Sequence, residues 1–517
     1  LNPNFRTKFS AFVVNDDGYS EAVTLNKDVN GEESWGVRAA ASIDISETLT
    51  WDVSYDYIDA SRTTLGSLAY DPDYLVRSGL QQGDCDGDVI GEYLNSLKGN
   101  CSRITTGGLT SNLAWETGLG TVNFITGYRT TEQKFALDFQ VGGGITGSAG
   151  GFMIANDIEH TQLTQEVKLV GSTDNIDYVA GVFYLKEDAT TDALDIFGLA
   201  PVGLTALVLG HKELENETDS LAAYAQGDFG TSGPLVLTLG LRLTQEEKSV
   251  GFSDLTQAYP AGFIPSTGAV GVRPTTANMI ANGIPTSQEV TKLSPRLALT
   301  YIVSDDLLVY ASATNGFKSG GWNARNNSVL TNTPFGPETA NSFELGMKST
   351  MMGGNLRFNL TAYALQVSDL QVLAGFNTPG GGIAFVTQNA ADFSAHGIEF
   401  ETAYAPTDNF QMFFNGSVSD GGEYSGVPPR LGAGGVPCTN NPEPANCTTS
   451  RDTPVRYPEL QLNIGGIYTI PLANGGEFNL NGAVSYQSEI WTSSYNDTPT
   501  STGIPFGGTT PITAPLS

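Results

Sequence analysis

No stretch of the 517 residues approaches the roughly 18 to 20 uninterrupted apolar positions that a membrane helix needs, so a helical membrane protein is not expected. Charge is scarce as well. Asp, Glu, Lys and Arg make up 15% of the chain, against roughly 25% in an average soluble domain, which leaves a surface poor in salt bridges. Basic residues are the rarest of these, 25 against 55 acidic ones, and without a basic stripe there is no footprint for nucleic acid. The net charge of −30 speaks equally against broad capture of anions.

Histidine and cysteine are nearly missing. His160, His211 and His396 lie far apart and the four cysteines have no CxxC spacing, so no metal site is expected. There is no nucleophile elbow, no zincin motif and no paired His and Cys, so the chain is not expected to be an enzyme or to carry a cofactor. It begins at Leu1 without a charged n-region or an apolar h-region, and that start reads as truncation.

What is present is glycine, 61 residues of it, aromatics at 10%, and alternation. Leu235, Leu237, Leu239, Leu241 and Leu243 fall on one face of an extended segment, with Thr238, Gly240, Arg242 and Thr244 on the other. That is period two, hence a strand. Leu49, Trp51, Val53, Tyr55 and Tyr57 repeat it, as do Leu356, Phe358, Leu360 and Ala362. A mean hydropathy of −0.12 suits a wall in which only alternate residues meet lipid.

Tight turns are expected at Ser46-Glu47, Gly118 to Gly120, Gly230 to Gly233, Ser304-Asp305, Met352 to Gly354, Pro406-Thr407 and Ala473 to Gly475. Between them run long connections: Arg62 to Gly107, Thr131 to His160, Asp188 to Glu217, Lys248 to Glu289, Lys318 to Pro337, Asp369 to Asp392 and Gly421 to Thr453. These span roughly 20 to 46 residues, against about 4 to 6 for an ordinary loop. Only an outer-membrane barrel has reason to keep every second connection short. The expected fold is therefore all-β, a transmembrane antiparallel β-barrel with about 17 strands present, each about ten residues long.

Two local cysteine pairs, Cys85 with Cys101 and Cys438 with Cys447, suit disulfides in an oxidising compartment, the alternative being four free thiols. The glycine spacings of Val141 to Gly151 read as flexible loop rather than a nucleotide fingerprint. Asp84 to Asp88 reads as a solvated acidic loop, its glycine too early for a calcium loop. Trp51, Tyr55, Tyr57, Trp115, Phe124, Tyr128, Tyr178 and Tyr184 are expected to anchor strands at the lipid boundary. The apolar stretch Phe197 to Gly210 sits inside a long loop, to fold inward against ligand or plug or to pack on neighbouring loops.

From Val309 the chain reads VYASATNGFKSGGWNAR, then FGPETANSFELGMKS, then LRFNLTAYALQVSDLQV, then NAADFSAHGIEFETAYAPTDNF. In these motifs it resembles the TonB-dependent receptors, with the GFKSGG-type stretch at Gly316 to Gly321, the PE strand at Pro337 to Lys348, D-L-Q-V at Asp369 to Val372 and the G-x-E-x-E strand before A-P-T-D at Gly397 to Asp408. The resemblance extends over nearly the whole chain. It implies one barrel domain over 1–517, truncated at both ends, from a family that closes with roughly 22 strands around an N-terminal plug not present here.

The resemblance further implies a monomer in the outer membrane of a Gram-negative bacterium, set in lipid. The TonB–ExbB–ExbD complex would act through the plug to release a scarce small-molecule ligand inward, most commonly a ferric siderophore. Vitamin B12, haem and oligosaccharides remain open, as does a passive porin. Arg242, Arg357, Glu344, Lys348, Glu399 and Glu401 are expected to line the lumen. Lys318, Trp322, Asn323 and Arg325, where a strand becomes a long loop, are the candidate ligand contacts: the cations suit chelate oxygens and the indole a planar group. Their alternative is an aromatic girdle with a tight glycine exit.

Overall fold

In the computed structural model every alternating segment is a strand, hydrogen-bonded antiparallel to the segment before it and the segment after it. The structure describes residues 4–22, 26–62, 75–76, 81–82, 85, 90, 98–99, 101–138, 152–198, 206–255, 263–265, 272–326, 328–377, 383–425, 454 and 456–490. The main sheet has 19 strands, of which Phe263–Pro265 and Glu423–Ser425 are three-residue pieces in loops. Seventeen wall strands remain.

They are β1 Phe5–Asp16, β2 Glu32–Ser46, β3 Leu49–Arg62, β4 Cys101–Thr117, β5 Gly120–Asp138 and β6 Phe152–Ser172. Then follow β7 Ile176–Gly198, β8 Ala206–Phe229, β9 Leu235–Asp254, β10 Ser287–Ser304, β11 Leu307–Lys318 and β12 Glu338–Met351. The last are β13 Leu356–Asn377, β14 Ile383–Thr407, β15 Phe410–Ser419, β16 Leu460–Pro471 and β17 Glu477–Gln487. Each pairs with its neighbours in chain order, an up-and-down meander.

Leu235 to Leu243 show why this sheet belongs in lipid. The five alternate leucines are each between 37 and 51% exposed, and the same face carries Val182, Leu221, Leu293, Leu297, Phe343 and Leu345, all exposed. In water an apolar face of this extent would drive aggregation; in a bilayer it is the solvated side. Trp51, Tyr55, Trp115, Phe124 and Tyr128 stand exposed among them, while Tyr178 donates to the Leu119 carbonyl in a short turn and Tyr184 to Asp219. The opposite face pairs charges across strands, as in Arg129–Asp56 at 3.1 Å, whereas Arg103–Asp59 at 2.6 Å lies above the apolar band in phase with Tyr55 and Leu109.

Several boundaries differ from the sequence expectation. Strands run to 25 residues rather than about ten, because above the apolar band both faces turn polar and the period vanishes while the backbone ladder continues. Thr131 to Asp138 therefore pairs with Met153 to His160, and Asp188 to Gly198 with Ala206 to Glu217. In the sequence both stretches read as loop. Much of Phe197 to Gly210 is accordingly strand: Phe197 and Gly198 close onto Leu207 and Ala206. A turn at Thr173 to Asn175 was missed; Thr173 Oγ1 accepts from the amides of Asn175 and Ile176 there. The turn expected at Pro406-Thr407 lies at Asp408-Asn409. Cys438, Cys447, Val141 to Gly151 and, Cys85 apart, the Asp84 to Asp88 cluster lie outside the described residues.

Candidate functional site

The segment between β11 and β12 returns over the barrel mouth as a small hairpin, Gly321 and Trp322 pairing with Phe335 and Pro334. Its base is a knot of side chains. Glu338 Oε2 accepts from the Gln371 amide at 2.7 Å, and Gln371 Nε2 donates to the carbonyls of Ser319 at 2.8 Å and Gly336 at 3.0 Å. Gln371 is in position because β13 bulges at Asp369, which takes a φ of 57° and shifts the register between Val367 and Leu370. Gly320 has no room for a side chain, since a Cβ would strike the Phe335 carbonyl. The GFKSGG, PE and DLQV motifs thus meet at one point on the rim.

Above the knot the loops have their own apolar core. Leu214 of β8, Val250 and Phe252 of β9, Met279 of the short helix Thr276–Ala281 and Val329 are buried together, with Trp322 packed against them. Trp322 also donates its indole N–H to the Pro285 carbonyl at 2.7 Å. Asn323, 8% exposed, works as a clamp: its Nδ2 donates to the carbonyls of Thr333 and Thr387, each at 2.9 Å, and its Oδ1 accepts from the Thr387 amide at 2.6 Å. Both residues hold the loop in place.

Arg325 reaches Asp195 at 2.8 Å, an aspartate almost fully buried at the end of β7. Beside it the buried Lys212 of β8 donates to the carbonyls of Arg325 and Asn326, at 2.5 and 2.9 Å. Burial holds the Lys212 ammonium down to about 8 from its ordinary 10.5, against the pull of Asp195. Asp195 and Lys212 are site residues that sequence reading did not single out; each is one polar position among many on a long strand, and only the fold brings 113 to 130 residues of separation together. Lys318 differs from its neighbours: its side chain is 64% exposed and only loosely paired with Glu338, at 3.6 Å.

Below the rim the polar face of β11 to β14 encloses a cavity of about 400 Å³ lined by Tyr310, Glu344, Lys348, Tyr363, Glu399 and Glu401, among others. Four of the expected lumen residues are in that set. Arg242, also on the polar face, lies between the rings of Phe183 and Tyr224, 5.6 Å from each centroid. Arg357 is exposed one pleat from the β12–β13 turn. Cys85 and Cys101 form the expected disulfide, their Cα atoms 5.8 Å apart. Among the described residues no group of His, Cys, Asp and Glu could hold a metal ion.

Comparison with known proteins gives these features a family context. Residues 34–511 match the model of the TonB dependent receptor-like β-barrel family. The ferric-pyoverdine 358 receptor of Pseudomonas putida is 24% identical over 144 residues, 28% of this chain and 16% of that protein. Among solved structures, the ferric yersiniabactin uptake receptor of Yersinia pestis superposes with a TM-score of 0.68 at 14% identity, over 96% of this chain and 66% of that one. The ferric-catecholate import receptor of Escherichia coli K12 does so with a TM-score of 0.63 at 14% identity, over 96% of this chain and 70% of that one. The chain thus spans about two thirds of the length of these structures, and at such identities the likeness is one of fold.

Proposed function

The chain belongs to the TonB dependent receptor-like β-barrel family, and from that premise we propose that the protein carrying it takes up a ferric siderophore by TonB-driven transport across the outer membrane. The observation that carries this reading is the packed loop core over the mouth of a polar-lined wall. A passive pore gains nothing from a preformed extracellular platform; a receptor for a scarce ligand does, because a rigid surface loses less entropy on binding. The solved relatives named for ferric siderophores support the same substrate class.

Within this reading Lys318 and Arg325 are the ligand-facing cations, each with about half or more of its side chain exposed. A guanidinium or ammonium there meets the catecholate or hydroxamate oxygens of an iron chelate. Trp322 and Asn323 hold the surface that presents them. In this family the plug and its TonB box precede the barrel, and the proposed transport requires them.

The test is uptake of iron-55 as defined ferric catecholate and ferric hydroxamate chelates by cells that rely on this receptor, with TonB and without it. TonB-dependent accumulation of either chelate, reduced by Lys318→Ala and Arg325→Ala, is the expected result. No accumulation together with induction of the gene by a sugar, and indifference to iron limitation, would replace the substrate class.

A further inference from the structure

Arg325 covers a buried pair of opposite charges. In the register of β7 and β8, Ala193 stands opposite Lys212 and Asp195 opposite Gly210, so Asp195 and Lys212 are diagonal neighbours on one face, within reach of a long side chain. Each is 3% exposed. The Arg325 side chain, 2.8 Å from Asp195, is 48% exposed, while the carbonyls of Arg325 and Asn326 accept from Lys212 Nζ. One guanidinium thus stands between solvent and the pair.

Every element packed on Lys212 brings a charge. β7 supplies Asp195 and the mouth loop Arg325; β9 supplies Asp254, directly opposite Lys212 in the register, with the Arg273 guanidinium 3.7 Å from it. On β8 itself His211 and Glu213 flank Lys212 and turn to the other face, where His211 meets Asp192 at 2.9 Å. Around Lys212, then, three cations face two carboxylates, in a chain that is otherwise strongly acidic. Of the three cations only the ammonium can give up its proton.

Whether it keeps that proton depends on its neighbours. Burial is the first cause that holds the Lys212 ammonium down; Asp195 pulls it up, and Arg325 and Arg273 push it further down. An anion that draws Arg325 outward takes a positive charge away from Lys212, leaves the Asp195 carboxylate to pair with it, and brings negative charge to the mouth. All three changes favour the protonated amine.

We propose that ligand capture at the mouth is coupled to proton uptake by Lys212: an anionic chelate draws the Arg325 guanidinium from Asp195, Asp195 pairs with Lys212, and the Lys212 amine binds a proton from solution. This coupling rests on the reading of Arg325 as a ligand-facing cation. It gives Lys212, which no ligand touches, a part in setting affinity. By reciprocity the chelate and the proton strengthen each other's binding, so affinity is level below about 8, where Lys212 is already protonated in the free protein, and falls as pH rises above it.

The experiment titrates the full-length protein in detergent micelles by NMR, with carbon-13 at the lysine Cε; the Lys212 signal is the one lost in Lys212→Met. The probe is the gallium complex of a hexadentate tricatechol, a diamagnetic trianion with the charge and shape of the ferric chelate. On saturation with it the proton affinity of Lys212 is expected to rise about tenfold or more, and in chelate-free Arg325→Ala it should rise as well, by less. In the Asp195→Asn background both increases should be far smaller, whereas a loosened loop that merely exposes Lys212 would raise the affinity equally in either background. Folding of each variant is verified by the mobility of the unheated barrel in gel electrophoresis. An unchanged midpoint in Arg325→Ala or on chelate binding, or increases of full size with Asp195→Asn, would overturn the coupling. Failure of the chelate to bind counts instead against the substrate class, and the Arg325→Ala comparison, which needs no ligand, still decides the role of Lys212.

Discussion

Gly336 and Asn389, 53 residues apart, hold each other by two opposed hydrogen bonds: the Gly336 amide donates to Asn389 Oδ1 at 2.6 Å, and Asn389 Nδ2 donates back to the Gly336 carbonyl at 2.9 Å. The same Nδ2 donates to the Asp369 carbonyl at 2.7 Å. One side chain on β14 thereby satisfies three backbone groups, at the foot of the mouth hairpin and at the β13 bulge.

Asn389→Ala removes all three bonds. The Gly336 carbonyl keeps its bond from Gln371 Nε2, so the loss falls on the Gly336 amide and the Asp369 carbonyl; a backbone group left without a partner costs about 1 to 3 kcal/mol when buried, and the base of the hairpin should loosen while the wall stays intact. Hydrogen exchange is expected to accelerate at Gly336 and across 319–338, with the strands below unchanged. Asn389→Asp retains the acceptor for Gly336 and should fall between the two.

This pair also marks where sequence reading succeeded and where it stopped. The rhythm of short turns and the leucine row of β9 were legible because lipid imposes period two on one face. Above the band no solvent imposes it, and the upper halves of β5 to β8 read as loop in the sequence. The motif residues were recognisable as a set, yet nothing local reveals that Glu338, Gln371 and Ser319 touch. Asn323 and Trp322 read as ligand contacts from their place at a strand end; the fold gives both internal partners. Asp195 and Lys212 carried no pattern at all.

The two faces of β9 should respond oppositely to charge. Leu237→Arg puts a guanidinium on the lipid-facing side and is expected to destabilise the folded barrel by about 2 to 4 kcal/mol near mid-membrane. Thr238→Arg, one residue on and facing the lumen, should cost far less. Urea titration of the barrel in vesicles, followed by tryptophan fluorescence, measures both; equal losses would contradict the assignment of faces.

Cys85 and Cys101 join the segment before β4 to its first residue. Without reductant, maleimide labelling should leave both unmodified. If Cys438 and Cys447 also pair, as their local spacing suggests, the untreated protein takes no label and the reduced protein takes four. Two labels before reduction would mean that the second pair is open.

Lys212 gives the mouth loop a pH dependence whose sign follows from linkage. Docked, its ammonium is held to about 8 by burial first, with Arg325 and Arg273 adding to the lowering and Asp195 opposing it. Released into water on local opening, it returns toward 10.5. Below pH 8 both states keep the proton and docking is at its weakest. Between about 8 and 10.5 the open state keeps the proton while the docked state has shed it, so docking strengthens as pH rises, by up to about 3 kcal/mol. Exchange protection of 321–326, corrected for the intrinsic rate at each pH, should therefore increase across this window and level off above it. In Lys212→Met, which retains the apolar stem but cannot titrate, the corrected protection should be flat; a rise that persists in this variant would assign the dependence to another group.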